Sequence, residues 1–259
     1  MGWPNMVLKR RLIPVMLLDG DRLHKTLGFS PGRDVGDPIK SAQVYSDQSA
    51  DELVVLNISR QQRDIEPLLG LLQRLSQVCF MPLSLGGGIR CLDDARRLIQ
   101  GGADKVVVNS AAYTDLGLLR AIAEEFGNQA LMVSIDCRRN GASGWSCWRD
   151  CAQLQAEVAL IEHLQRVVAA GAGEILVQSV DEDGRMQGYD IDLLRAVSAA
   201  VAVPVIGCGG AGHYEHLRDA FLQAGVDALA MGSLFNFTDS NPLRAKAFLS
   251  NYDLAFKVV

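Results

Sequence analysis

Two stretches of this chain repeat one another at a fixed separation, and that repeat constrains the fold more than any other feature. Pro82-Leu83-Ser84-Leu85-Gly86-Gly87-Gly88-Ile89-Arg90 runs from a proline through a short apolar segment into glycines. Val203-Pro204-Val205-Ile206-Gly207-Cys208-Gly209-Gly210-Ala211-Gly212 does the same. The segments that follow also match: Gly101-Gly102-Ala103-Asp104-Lys105-Val106-Val107-Val108-Asn109-Ser110 is echoed by Ala224-Gly225-Val226-Asp227-Ala228-Leu229-Ala230-Met231-Gly232-Ser233. Gly87 and Gly210, Gly102 and Gly225, and Ser110 and Ser233 are each 123 positions apart. Three equal offsets mark an internal duplication, with halves at approximately 1–127 and 128–259.

Between and around the repeats, strand-like and helix-like segments alternate. Strand one covers Arg11 to about Leu18, and a loop rich in Gly, Pro and Asp spans Gly28 to Pro38. A helix from Ile39 to about Ser49 leads into strand two, Glu52–Asn57, and a helix from Ile65 to Gln77 precedes the glycine-ended strand three. Strand four is Lys105–Val108, followed by helix Leu116–Phe126 and strand five, Leu131–Asp136. The longest loop is expected from Cys137 to about Ala152. The spacing of Leu154, Val158, Ile161, Leu164 and Val168 then predicts one helical face. Strands six to eight are Glu174–Ser179, Val203–Gly207 and Ala228–Met231. Runs such as Val106-Val107-Val108 are apolar on both faces, as parallel strands covered by helices require. Eight βα units in 259 residues, with no linker, predict one α/β domain over 1–259, a (βα)8 TIM barrel with internal half-barrel duplication. A doubly wound open sheet is the alternative, and the half-barrel echoes favour closure.

Composition narrows the function classes. A formal net charge of −5 offers no basic footprint for nucleic acid or an anionic membrane. No apolar run reaches the roughly 20 residues that span a bilayer, and no signal peptide is apparent. Cys79, Cys91, Cys137, Cys147, Cys151 and Cys208 lack CxxC spacing and read as reduced thiols of a cytoplasmic protein. His24, His163, His213 and His216 lack metal spacing, so no metal or redox cofactor is implied.

In a TIM barrel, polar residues at the C-terminal ends of the strands are the functional candidates. Asn57 ends strand two, Asp136 ends strand five, and Ser179 ends strand six. Glycine clusters there let backbone N–H groups approach an anion. Gly87, Gly88, Asn109 and Ser110 form one candidate phosphate cradle, and Asp183, Gly184, Gly209, Gly210, Gly232 and Ser233 a second. Two cradles across one barrel mouth imply an elongated ligand with a phosphate at each end. The plainer reading of the glycines is tight turns alone. Asp136 is either a general acid/base or a loop cap.

The chain resembles the cyclase (synthase) subunit of imidazole glycerol phosphate synthase over nearly its whole length. The motifs include Gly36-Asp37-Pro38, Asp51-Glu52-Leu53, Leu85-Gly86-Gly87-Gly88-Ile89, Ser134-Ile135-Asp136, Asp181-Glu182-Asp183-Gly184, Gly188-Tyr189-Asp190 and Gly209-Gly210-Ala211-Gly212. The resemblance implies a duplicated, two-phosphate barrel. It also implies a glutaminase partner docked at the N-terminal face, whose ammonia passes through the barrel to the substrate. A gate of charged residues is implied at that face, and Arg11, Glu52, Lys105 and Glu174 fill its positions, each at the start of a predicted strand. Two acids and two bases can pair there, limiting the cost of partial burial. A plain structural salt-bridge cluster is the alternative.

Departures from the family pattern carry as much information. The resemblance implies two aspartates as acid and base; Asp136 supplies the second, but the first falls on Leu17. Asp19 is two residues later, on the same side of an extended strand but roughly 6–7 Å further along. Asn57 stands where an acid is usual, and the stretch from Arg139 to Gln153, with Trp145 and Trp148, lacks the usual Gly/Lys/Thr-rich pattern. Lys25 is kept as a candidate phosphate or carboxylate ligand. Leu17-Leu18 followed by Gly36-Asp37-Pro38 resembles a paralogous branch found with a glutaminase and a sugar amidotransferase in surface-polysaccharide (lipopolysaccharide) pathways. The expected role is therefore amination of a phosphorylated or nucleotide-linked sugar with channelled ammonia. Genuine imidazole glycerol phosphate synthesis in histidine biosynthesis is the runner-up, and a non-catalytic ammonia-conducting scaffold is the third reading.

Overall fold

In the computed structural model, which describes residues 9–141 and 144–256, eight parallel strands close on themselves. They are β1 (Arg11–Asp19), β2 (Leu53–Asn57), β3 (Leu83–Gly86), β4 (Lys105–Val108), β5 (Leu131–Asn140), β6 (Glu174–Ser179), β7 (Val205–Cys208) and β8 (Ala228–Met231). Each pairs with the next, and β8 returns to β1 with Arg11 opposite Ala228 and Pro14 opposite Met231. The outer helices are α1 (Pro38–Asp47), α2 (Glu66–Leu75), α3 (Leu92–Gln100), α4 (Leu116–Phe126), α5 (Leu160–Ala169), α6 (Ile191–Ala200), α7 (Tyr214–Ala224) and α8 (Pro242–Leu249). This is the (βα)8 TIM barrel, and closure rules out the open sheet.

Alternating side chains on the strands feed two apolar layers. Ile13, Val15, Val54, Val107, Met132, Leu176, Ile206, Ala228 and Ala230 fill the barrel interior. Neighbouring positions such as Leu12, Val55, Leu85, Val106, Val133 and Ile175 pack outward against the helices. Both faces of every strand are therefore dry, which is why the strands read as continuous apolar runs rather than alternating ones. Local chemistry supports the helices. Asp37 caps α1 by accepting from the N–H groups of Ile39 and Lys40, both at 2.9 Å, and Pro38 occupies a first-turn position that needs no N–H donor. The Gly-Asp-Pro motif is thus a helix start.

The duplication has a structural counterpart at the lower rim. The Asp104 carboxylate accepts from Leu83 N–H at 2.8 Å, and Asp227, 123 residues later, accepts from Val205 N–H at 3.0 Å. Asp51 does the same for Leu12 N–H at 2.8 Å and is itself held by Lys246 Nζ at 2.6 Å. Each acid satisfies a strand-start amide that the barrel ladder leaves without a partner. At the upper rim, short helices Ser110–Thr114 and Ser233–Phe237 follow β4 and β8 at the same separation.

Three sequence expectations change. The region from Cys137 is not a loop: β5 continues to Asn140 and pairs antiparallel with Gly144–Arg149, which pairs with Leu154–Ala159. Leu154 and Val158 therefore lie on a strand, and α5 begins only at Leu160. Cross-strand pairing, such as Trp148 opposite Gln155, overrides a helical spacing that the six residues happen to satisfy. Residues 142–143 at the tip fall outside the described residues. In the same way Arg22–Lys25 and Arg33–Gly36 pair antiparallel above β1, shortening the expected Gly28–Pro38 loop.

Leu176 sits in the inner layer at 0% exposure, whereas Leu154 on the hairpin is 49% exposed. Leu176→Ala is predicted to lower stability by about 2–5 kcal/mol in denaturant titration, and Leu154→Ala by less than about 0.5 kcal/mol.

Candidate active site

The C-terminal mouth holds a cleft of about 370 Å³. Asp136 lies on its floor, carried by β5 at a point where both faces of the strand are enclosed. It is 5% exposed, and its Oδ2 accepts from Asn109 Nδ2 at 2.8 Å. Burial pushes its carboxyl up to about 7; the Asn109 amide opposes that rise and the charge of Asp183 adds to it. A carboxyl balanced near neutrality can both give and take a proton. Among the described residues, Asn109 Oδ1 is one of the buried polar atoms with no hydrogen-bond partner.

Leu17 and Leu56, paired across β1 and β2, form an apolar wall of the same cleft. Asp19 also lines it, exposed at the end of β1. The structure thus brings Asp19 and Asp136 to one cavity, the first at its rim and the second at its floor. Asn57 lines the cleft as well, but its amide is committed elsewhere. Nδ2 donates to the carbonyls of Gln62 and Asp64 at 2.9 and 2.8 Å, and Oδ1 accepts from Ser59 N–H at 3.0 Å. It holds the 58–64 loop in place, a use that its position after strand two does not reveal.

The glycine clusters border two further hollows. The first, about 330 Å³, is lined by Gly87, Gly88, Asn109 and Ser110 together with Arg63, Arg90 and Arg149. Sequence reasoning missed the arginines. Arg90, two residues after Gly88, was within the motif itself; Arg63 and Arg149 come from separate loops and only the fold joins them. Ser110 Oγ accepts from Asp150 N–H at 3.0 Å, tying the hairpin to this hollow. The second hollow, about 40 Å³, gathers Lys25, Asp183, Gly184, Gly209, Gly210, Gly232 and Ser233. Gly87 (φ 88°) and Gly210 (φ 107°) are equivalent positions, and in each a Cβ would collide with a carbonyl, that of Asn57 or of Gly188.

Lys25 and Asp183 meet in this second hollow with different tasks. Lys25 Nζ donates to Val15 O at 2.7 Å and fills the space left by the missing side chain of Gly232. Burial lowers its ammonium to about 8, against the raising influence of Cys208 and Asp183. Asp183 is a loop clamp: its carboxylate accepts from Thr26 Oγ1 at 2.6 Å, Phe29 N–H at 3.2 Å and Gln178 Nε2 at 3.2 Å. Burial raises its carboxyl, while the bonds from Thr26 and Phe29 and the nearby Lys25 hold it down. Ser179 is buried beneath Gly209, where a Cβ would meet its carbonyl at 2.7 Å.

At the opposite end, the four strand-start charges form a closed ring. Arg11 reaches Glu52 at 2.8 Å and Glu174 at 2.9 Å; Lys105 reaches the same two acids at 3.0 and 2.7 Å. Ser84 Oγ donates to Glu52 at 2.5 Å, so the most buried acid, at 2% exposure, has three donors. Acids and bases alternate around the axis, and each charge touches two of opposite sign.

A family profile described as "Histidine biosynthesis protein" matches residues 11–241. The imidazole glycerol phosphate synthase subunit HisF from two strains of Caulobacter vibrioides is 41% identical over 246 residues, covering 95% of this chain and 95% of each relative. With the barrel, the paired hollows and the matched length in agreement, the chain belongs to the histidine biosynthesis protein family that includes these HisF subunits.

Proposed function

We propose that the protein is a HisF-type cyclase subunit that receives ammonia from a glutaminase docked at the N-terminal face and adds it to a phosphorylated acceptor at the C-terminal cleft. One observation carries this reading: a charge ring and a cleft with a neutral-poised carboxyl lie at opposite ends of one apolar barrel interior. Neutral ammonia crosses an apolar interior at little cost, whereas ammonium does not. The ring would exclude bulk water and ions until the partner docks. The two glycine-lined hollows flank the cleft as anchors for an acceptor with a phosphate at each end, with Arg63, Arg90 and Arg149 serving one and Lys25 the other. No metal or redox cofactor is needed for this chemistry, and a cytoplasmic setting suits the six free cysteines.

The name and family description of the relatives favour imidazole glycerol phosphate synthesis over amidation of a nucleotide-linked sugar. The sugar reading keeps one observation in its favour, the apolar Leu17–Leu56 wall where the family pattern has an acid. In that case the acceptor differs and a sugar amidotransferase joins the assembly. A scaffold that merely conducts ammonia has no use for Asp136 or the hollows.

The test is turnover of the bis-phosphorylated ribulosyl formimino carboxamide ribonucleotide with ammonium salt, followed by loss of its absorbance. Turnover supports the synthase reading. Binding without turnover moves the chemistry to nucleotide-linked sugars, to be assayed with the glutaminase present. Asp136→Asn is predicted to lower turnover by at least about 100-fold; unchanged turnover in that variant would remove Asp136 as the acid/base, and no turnover of either acceptor by the wild-type chain would leave the scaffold. Lys105→Ala removes half the ring's pairs and is predicted to cost about 3 kcal/mol of stability. Its glutamine-driven rate should fall relative to its ammonium-driven rate, and equal changes in both would refute the gate.

Protonation of Asp136 gives a further expectation. Its folded-state value, about 7, lies above the ordinary 3.8, so the folded state holds a proton that the unfolded state releases. Stability therefore declines as pH rises from about 4 to about 7 and levels off above. Asp136→Asn should flatten that decline and raise stability at pH 8 by up to about 4 kcal/mol, measured as melting temperature against pH.

A further inference from the structure

We propose that His24 is the base that works opposite Asp136 in the cleft. This rests on the reading that ammonia is added to a phosphorylated acceptor there, and it assigns the second proton carrier that Leu17 does not supply. His24 lies on Arg22–Lys25, directly across from Leu17 in the antiparallel pair with β1. Directly opposed residues present their side chains to the same face. Leu17 faces the barrel interior, packed on the inner apolar layer. His24, Leu17 and Asp136 line the same 370 Å³ cleft.

The imidazole is oriented for this work. Its Nδ1 lies 3.4 Å from the carbonyl of Gly32, which can only accept; a hydrogen on Nδ1 pointing there leaves Nε2 of the neutral ring with its lone pair. Gly32 is itself part of the cleft wall, and a Cβ there would come within 3.1 Å of the His24 Cβ. The absent side chain lets the loop close against the Arg22–Lys25 strand, whose Lys25 carbonyl a Cβ would meet at 2.9 Å.

The other ionisable groups of the cleft fit the role less well. Arg60 offers only donors and no lone pair to take a proton. Burial, with Asp136 nearby, raises the Cys151 thiol. Asp19 is exposed at the rim. His24 is half-buried, and an imidazole is the common side-chain base of proton-transfer sites. The charges facing it are Asp34 on the adjoining strand, held by Arg22 at 2.8 Å, Asp19 on β1, and Arg60, Cys151 and Asp136 around the cleft.

The chemistry balances with ammonia as the nucleophile. Its lone pair forms a C–N bond to a carbonyl carbon of the acceptor, and a nitrogen proton moves to the new alkoxide to give a carbinolamine. His24 Nε2 then removes a second nitrogen proton as the C=N bond forms. The C–O bond breaks with a proton from Asp136, and water leaves. Imidazolium and carboxylate return to their starting states by exchange through the cleft, so the sum is carbonyl plus ammonia giving imine plus water.

The decisive experiment combines His24→Gln with an NMR titration of the wild-type chain carrying ¹⁵N-labelled histidines. The bis-phosphorylated ribulosyl formimino carboxamide ribonucleotide is the probe in both. With ammonium salt, His24→Gln should lose about 100-fold in kcat with KM nearly unchanged, and the acidic limb of the kcat profile should disappear. Added imidazole should partly restore His24→Ala. Retention of kcat and of the acidic limb in His24→Gln would overturn the proposal. In the titration, saturating probe should shift the His24 Nε2 resonance while His213 and His216 stay fixed. An unmoved His24 resonance in the saturated protein overturns the proposal whether or not turnover occurs. A shifted His24 without turnover in the wild type supports His24 at the ligand and retires the imidazole-forming reaction instead.

Discussion

Closure of the sheet between β8 and β1 is the constraint on which everything else depends. Four register pairs, from Arg11–Ala228 to Pro14–Met231, join the two edges that the eight barrel strands would otherwise leave free. The same seam brings Arg11 to the axis beside Glu52 and Glu174, and it puts Lys25 against Gly232. An open sheet of identical strands would separate these partners. It would also expose the inner layer of Ile13, Val54, Met132, Leu176 and Ile206.

The two ends of the closed barrel solve the problem of buried charge in opposite ways. At the lower end four charges alternate, so each has two partners of opposite sign. At the upper end Asp136 has an amide partner and, among the described residues, no salt bridge, and burial lifts its carboxyl to about 7. Lys25 sits in the adjoining hollow, lowered by burial, and donates to a backbone carbonyl rather than to Asp136. Paired charges thus occupy one end of the barrel and a single buried carboxyl the other, with an apolar layer between them.

Much of the site was readable from residue order. Asp136 follows an apolar run, and the glycine clusters recur at one offset, so strand ends and turns could be assigned without coordinates. Helix Leu116–Phe126 and strands Lys105–Val108, Glu174–Ser179 and Ala228–Met231 lie within the boundaries that their composition implied. Asp183 and Asn57 were harder, because their side chains bond to the 26–29 and 58–64 loops and a sequence does not say which neighbour a polar atom will choose. The Leu154–Ala159 strand was misread for a related reason. Its spacing suits a helix, and only the hairpin partner decides otherwise.

Sequence alone determined the architecture: duplicated glycine clusters, strands apolar on both faces and eight alternating units admit few packings other than a barrel. Those are local and periodic properties, carried by each segment whatever it later touches. The tertiary structure decided which charges meet. It joined Arg11 to Glu174 across 163 positions. It also turned His24 from an isolated histidine into the cross-strand neighbour of Leu17. The physical reason is that hydrogen bonds, ion pairs and desolvation act over a few ångströms, and distance in space between residues far apart in the chain exists only once the barrel has closed.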